Sequence, residues 1–329
     1  MGVVVASLAA AGAAMTVACA GLLSIEELPL RGMGDGAALS DAGPATDACT
    51  VAPDASFCAT LCPRADFCDD FEGEGDDLSR WNGGGLGAGG AANRLVDSPE
   101  NTLGIVDDER NSSRVLQSTV IARDTGTALA FVAHELHSPE GQLPRGVRVR
   151  VQFRVMDLNF KDVDAAREEK FLYAIGFGDG ARGEGIGLIL VEGKKHGDYE
   201  VTLQQRTVVS GAKKVELTSL LDLDQATLKN NWLGLEFILA PSSVLDAMAQ
   251  SCALVDANGD PLDAASLALP GDALRLVVRV GPVSRCVAAR DEFASGDWLR
   301  SVQVLSGAAV GGPATASVRT DNLAVSLLY

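Results

Sequence analysis

Val147-Arg148-Val149-Arg150-Val151-Gln152-Phe153-Arg154-Val155 decides the fold. Apolar side chains occupy every odd position of this stretch and Arg or Gln every even one. Successive strand side chains point to opposite faces, so the alternation describes a β-strand with one face in a core and one face polar. The same texture recurs at 114–121, 127–136, 171–178, 185–192, 199–209, 215–221, 232–240, 251–256, 274–281, 301–306 and 317–328, with short turn-rich gaps between. Only 161–170, 242–250 and 288–295 read as helical, and all are brief. Many strands without long intervening helices exclude a doubly wound sheet. They predict an all-β, two-sheet antiparallel sandwich that buries the Val147–Val155 comb. Trp232, in Asn-Asn-Trp-Leu-Gly-Leu, is expected to anchor a buried strand.

Upstream the texture changes. Residues 3–18 are uncharged and apolar and lead to Cys19. This run is shorter than the about 20 residues a membrane-spanning helix needs, and it fits the apolar segment of an export signal. Thr16-Val17-Ala18-Cys19 resembles a bacterial lipobox, although Thr16 stands where Leu is usual and no Lys or Arg precedes the run. The expectation is a signal peptide over 1–18 and a lipidated Cys19 as membrane anchor. Ala20 after the cysteine points to outer-membrane sorting in the cell envelope. A plain secretory signal cleaved elsewhere is the alternative. Residues 19–66 are rich in Ala, Asp, Gly and Pro and read as a tether. A flexible stretch of that kind has a reach of roughly 35 Å.

With Cys19 set aside, Cys49, Cys58, Cys62, Cys68, Cys252 and Cys286 form an even set in an oxidising compartment. The economical reading is two disulfides inside the 49–68 cluster, of open connectivity, and a Cys252–Cys286 bridge. Zinc is the rival, but the cluster lacks the close cysteine pairs of zinc ribbons. The formal net charge of -17 argues against a nucleic-acid partner, which would need clustered Lys and Arg.

Phe67-Cys68-Asp69-Asp70-Phe71-Glu72, Trp232, the 256–263 hairpin with 273–281, and Thr320-Asp321-Asn322-Leu323-Ala324-Val325 together resemble the concanavalin A-like lectin/glucanase (laminin-G-like) jelly rolls of exported bacterial proteins. The resemblance covers 67–329 and implies a jelly-roll domain whose first and last strands lie side by side. It also makes a structural Ca2+ plausible, with Asp69, Asp70, Glu72 and Asp321 as oxygen ligands where the terminal strands meet.

Chemistry is thinner. Glu72-Gly-Glu74-Gly-Asp76 and Asp222-Leu-Asp224 have carboxylate spacing, yet the first reads as a loop and the second lacks a third partner. Asp256-Ala-Asn258-Gly-Asp260 imitates an EF-hand start but reads as a hairpin turn. Gly178-Asp-Gly180-Ala-Arg-Gly183 matches a dinucleotide fingerprint, but a strand follows where a helix is required. His134 and His137 would face opposite ways on a strand, and no Gly-x-Ser-x-Gly elbow occurs. Arg148, Arg150 and Arg154 line one strand face, which is either solvated or the floor of a groove for an anionic polymer. Trp81 and Trp298 are expected in loops, where they would rim a sugar site. The reading is a tethered, non-catalytic binding or adhesion lipoprotein, with glycan or an envelope protein as partner; a glycan-active hydrolase or lyase is the alternative.

Overall fold

The computed structural model describes residues 56–61, 63–73, 78–83, 94–109, 113–123, 126–160, 171–179, 184–192, 198–209, 212–250, 254–256, 260–262, 273–281, 283–289, 293 and 297–329. Cys19, Cys49, Cys62, Cys252 and the 161–170 helix expectation lie outside them.

The quoted alternation becomes β6 (Gly146–Phe160). Val147, Val149, Val151, Phe153 and Val155 are all at most 1% exposed and belong to the main core. Around β6 lie β1 (Phe67–Asp69), β3 (Thr102–Asp108), β4 (Ser113–Ala122), β11 (Leu233–Pro241), β12 (Leu274–Val280), β13 (Val283–Ala288) and β15 (Ala314–Leu328). They form an eight-stranded antiparallel sheet, here sheet A, in the order β13-β12-β11-β6-β15-β4-β3, with β1 also paired to β15. Facing it is the seven-stranded sheet B, ordered β10-β9-β8-β7-β14-β5-β2. Its strands are β2 (Arg94–Val96), β5 (Thr127–His137), β7 (Phe171–Asp179), β8 (Glu184–Glu192), β9 (Asp198–Val209), β10 (Ala212–Asp224) and β14 (Ser301–Gly311). The fold is therefore an all-β, two-sheet antiparallel sandwich of the jelly-roll type. Phe177 from sheet B packs against Phe237 from sheet A at a ring separation of 5.4 Å, which marks the interdigitated middle of the core.

Helices are confined to connections. α1 (Phe57–Thr60) precedes the first strand, α2 (Gln225–Asn230) joins β10 to β11, and α3 (Ser242–Ala247) follows β11. Asp224 caps α2, its Oδ1 accepting from the Thr227 N–H at 2.8 Å. The expected helix at 242–250 is present as α3. Of the strand expected at 251–256, the described residues Leu254 and Val255 form isolated bridges, and Val283–Ala288 is a further strand; most of the 288–295 helix expectation lies outside the described residues. β2 and β3 went unread because each lacks a full alternating apolar comb.

The first and last strands meet. Phe67, Cys68 and Asp69 pair with Val325, Ala324 and Leu323, which places the first strand beside the last as the resemblance implied. A bulge between Asp321 and Ala324 makes room for this junction. At its centre Asn322 adopts a left-handed backbone (φ 53), which Asn tolerates better than most side chains. Asn322 N–H donates to Asp321 Oδ1 (2.7 Å) and its side-chain amide to Gln152 Oε1 (3.0 Å), so the strained turn is held from both sides.

Beyond the junction Trp81 is 1% exposed. It packs edge-on to Phe67 and parallel to Phe71, and its Nε1–H donates to Asp69 Oδ2 at 2.7 Å. The expectation that Trp81 rims a sugar site is overturned: an aromatic with one polar atom buries fully where that atom meets a carboxylate. A Cys58–Cys68 disulfide, the Cys58 N–H to Asp70 contact (3.4 Å) and the Leu327 N–H to Asp66 bond (2.6 Å) fasten residues 58–66 to the sandwich. Cys286 is also disulfide-bonded. Trp232 is buried as expected, its Nε1–H donating to Asp108 Oδ2 at 3.3 Å.

Trp81→Ala should destabilise the domain by about 3–5 kcal/mol, the usual cost of truncating a fully buried aromatic. Denaturant unfolding measures it; a loss below about 1 kcal/mol would mean that the terminal junction does not depend on the indole.

Candidate functional site

Each sheet has an outward face, and the two faces differ in chemistry. On sheet B the strand register builds a trough. Gly178 of β7 pairs with Gly185 of β8, and Gly176 pairs with Gly187. Between them on each strand, Phe177 and Ile186 point into the main core, so the four glycines share the outward side. One wall is β9, where Arg206 pairs with Gly185 and Gln204 with Gly187. The other is β14, where Gln303 pairs with Gly178 and Leu305 with Gly176. Three strand spacings separate the walls, roughly 14 Å. The floor between them is bare backbone. At Gly178 this is obligatory, since a Cβ would come within 2.2 Å of the Glu184 carbonyl oxygen.

The walls carry unused hydrogen-bonding capacity. Gln303 Nε2, Gln204 Oε1 and Thr202 Oγ1 are buried atoms without a hydrogen-bond partner. Gln303 as a residue is 3% exposed and Thr202 4% exposed. Such groups cost free energy unless something satisfies them, and these three share one face of sheet B. Further along, the face turns apolar: Leu129, Phe131, Tyr173, Ile189 and Leu305 form a second buried cluster, with Phe131 and Tyr173 in edge contact. Glu135 pairs with Gln303 across β5 and β14, putting one carboxylate at the end of the row that starts at Arg206. The sequence signal for this trough was Gly-Phe-Gly before the 180–183 loop and Gly-Ile-Gly after it. Read as part of a glycine-rich hairpin, that pattern hid the fact that a hairpin register superposes the two pairs.

On sheet A the outward face is charged. Glu236 of β11 lies between Arg150 of β6 and Arg279 of β12 in one register row. Its Oε1 accepts from Arg148 Nε (2.6 Å) and Arg150 Nε (2.9 Å), and its Oε2 accepts from Arg279. Burial pushes the Glu236 pKa up, but the three guanidiniums outweigh it and hold the carboxyl below its ordinary value. Arg154, four residues beyond Arg150, donates instead to the Lys229 carbonyl at 3.4 Å. Arg148 and Arg154 are buried and Arg150 is half-buried, so the three are not a wet strand face. They also lie on the sheet opposite the trough. Arg319 and Asp108 are paired further along at 2.9 Å, as are Lys229 and Asp157 at 3.1 Å.

The remaining sequence candidates are dispersed. Asp69 Oδ1 accepts from the Phe71 N–H (3.0 Å) while Oδ2 takes the Trp81 indole. Burial raises its pKa, against the lowering effect of those bonds and of Arg80. Asp321 accepts from Asn322, and Glu72 from the Arg114 N–H at 3.4 Å. No group of three or more His, Cys, Asp or Glu side chains able to hold a metal occurs among the described residues. Asp256 and Asp260 are joined by reciprocal bonds at 2.9 and 3.0 Å, the residues between them lying outside the described residues. Trp298 lies in a short 3-10 turn, Asp297–Arg300. His134 points inward, stacked on Phe67 at 3.7 Å, and burial lowers its pKa, whereas His137 is exposed on the other side of β5.

No protein-family model matches the chain, and no curated protein does. Solved structures give distant similarities. The alginate lyase AlyC3 is 10% identical, with a TM-score of 0.37 over 68% of this chain and 78% of that one. A Saccharomyces cerevisiae protein of unknown function is 8% identical, with a TM-score of 0.32 over 70% and 97%. The lectin UEA-II, solved with galactose, is 11% identical, with a TM-score of 0.32 over 80% and 100%. The fold assignment rests on the strand pairing itself.

Glu236→Gln should lower stability by about 3 kcal/mol at neutral pH, because it leaves three guanidiniums around a neutral amide. A carboxyl whose pKa is depressed on folding contributes stability above its unfolded value and loses it as pH falls through the folded one. The gap between wild type and variant should therefore close in acid, below pH 4.5, the ordinary value for this side chain. Urea melts at pH 7 and pH 3 that show an equal gap would refute the ion-pair account.

Proposed function

We propose that the protein is a non-catalytic glycan-binding module held at the cell envelope, with sugar taken up in the sheet B trough. One observation carries this reading: Gln204 and Gln303 hold unpartnered polar atoms on the two sides of a glycine floor, with that of Thr202 one row further on, beside Ile189. A sugar ring is a compact chair with a broad C–H face, is rich in hydroxyls that both donate and accept, and approaches a backbone floor more closely than one covered by side chains. Amide side chains suit it because each offers a carbonyl acceptor and two N–H donors. Apolar Leu305 beside Gln303 supplies surface for the ring's C–H face. Hydrolysis by two carboxylates needs them about 5–10 Å apart. The row from Arg206 to Glu135 carries one, Glu135, whose Oε1 is already bonded by the Ser301 hydroxyl. That favours binding over hydrolysis by a carboxylate pair.

The envelope location is supported by the apolar run before Cys19 and by disulfide bonding at Cys58, Cys68 and Cys286, which fits an oxidising compartment. In this reading Cys19 carries the lipid anchor and residues beyond it tether the sandwich.

A glycan array and a polysaccharide-cleavage screen on the mature chain test the trough. Binding to at least one glycan is expected, weakened about tenfold by Gln204→Ala or Gln303→Ala, the loss of about one hydrogen bond. Release of oligosaccharides would replace the binding reading with an enzymatic one, and silence on every glycan would remove it. For the anchor, Cys19→Ser should move the protein from membrane to soluble fractions; unchanged fractionation would refute lipidation.

A further inference from the structure

We propose that the outward face of sheet A holds a separate binding site for an oxyanion, formed by Arg150 and Arg279 on either side of Glu236. The charge arrangement is the first argument. In a chain of net charge -17, three arginines converge on a single carboxylate. Glu236 is the one carboxylate that Arg150 and Arg279 meet among the described residues, and it is shared with Arg148 as well. Among the described residues Arg150 and Arg279 thus share a single carboxylate between them. The next carboxylate on that face, Asp321 opposite Gln152, is engaged by the Asn322 N–H and side-chain amide.

Geometry is the second. Arg150, Glu236 and Arg279 occupy one register row on three adjacent strands, so the two arginines flank the glutamate about two strand spacings apart, roughly 10 Å between backbones. Each guanidinium has five N–H donors in a planar fork, and Glu236 accepts one from Arg150 and one from Arg279. The Arg150 and Arg279 side chains keep 32% and 25% exposure, whereas those of Arg148 and Glu236 keep about a tenth. The buried pair acts as a base that fixes the outer pair in place, and the outer pair remains reachable from solvent.

The third argument is the surroundings. Immediately beside this row on the same face lie Ile238 and Val277, both fully buried, roofed by Leu245 of α3. An apolar shoulder lowers the local dielectric and strengthens the attraction between a bound anion and the guanidiniums. Carboxylate, sulfate and phosphate groups all match the planar fork, by two parallel N–H···O bonds. The class of ligand is thus an oxyanion, free or carried on a polymer. Because the site lies on the sheet opposite the trough, its failure would leave the trough reading untouched.

Thermal melts of the full mature chain at constant ionic strength, with chloride replaced by sulfate, phosphate or acetate, are the test. A saturable rise in Tm with at least one oxyanion is expected, retained by Arg154→Gln and lost by the double variant Arg150→Gln, Arg279→Gln. Should the double variant fail to fold, Arg150→Lys, which keeps the charge but loses the fork, should weaken the same oxyanion about tenfold by calorimetry. Equal increments in wild type and double variant, full affinity in Arg150→Lys, or no response beyond ionic strength in wild type would each overturn the proposal. Titration with a polyuronate and with a sulfated polysaccharide separates the sources. Tighter binding of either polymer than of the free ion assigns a polymer-borne group, and equal binding assigns the ion itself; both support the site.

Discussion

The antiparallel pairing of β6 with β15 runs from Gly146 opposite Leu328 to Phe160 opposite Ala314, and the rest of sheet A is assembled on its two sides. β11 and β12 add beyond β6, while β4, β3 and β1 add beyond β15. Register along this pair is fixed by burial. A slip of one residue would move Val147, Val149, Val151 and Phe153 out of the core and drive Arg148, Arg150 and Arg154 into it. Charged side chains unpaired in such a core would cost far more than the domain's net stability. The same alternation that makes the core also collects the arginines on the far side.

How much of this was readable follows from the kind of information each feature needs. β6 was legible because its period is local: nine consecutive residues state both faces. The meeting of β1 with β15 was legible only through the resemblance of the two end motifs, since nothing in Phe67–Asp69 itself selects Leu323–Val325. The trough was not legible, because its floor comes from two strands and its walls from two others, and only register brings Gly178 beneath Gln303. The arginines were noticed, but their partner was not. Glu236 sits inside Leu-Gly-Leu-Glu-Phe-Ile-Leu, a run that reads as apolar core, and its role appears once β11 is placed between β6 and β12. Trp81 was misplaced for a related reason: its burial depends on Asp69, twelve residues away, being turned to receive the indole.

Two buried carboxylates work in opposite directions. At Glu236 the guanidiniums outweigh desolvation and the ionised form is favoured. At Asp69 desolvation outweighs two N–H donors and Arg80, and the ionised form is disfavoured. Acid therefore weakens the ion-pair cluster of sheet A and relieves the burial cost of Asp69, while at the same terminal junction it acts against His134, whose burial on Phe67 favours the neutral imidazole.

The Cys58–Cys68 bridge has a mechanical meaning. Tension entering at Cys58 passes through the disulfide directly into Cys68 of β1 and bypasses the segment between the two cysteines. It is then met by three residue pairs to β15 and by the Trp81 anchor behind them. A pull on one end of the polypeptide is in this way transferred to its other end, across a single short seam. The remaining strands, and both outward faces, stay out of the line of force.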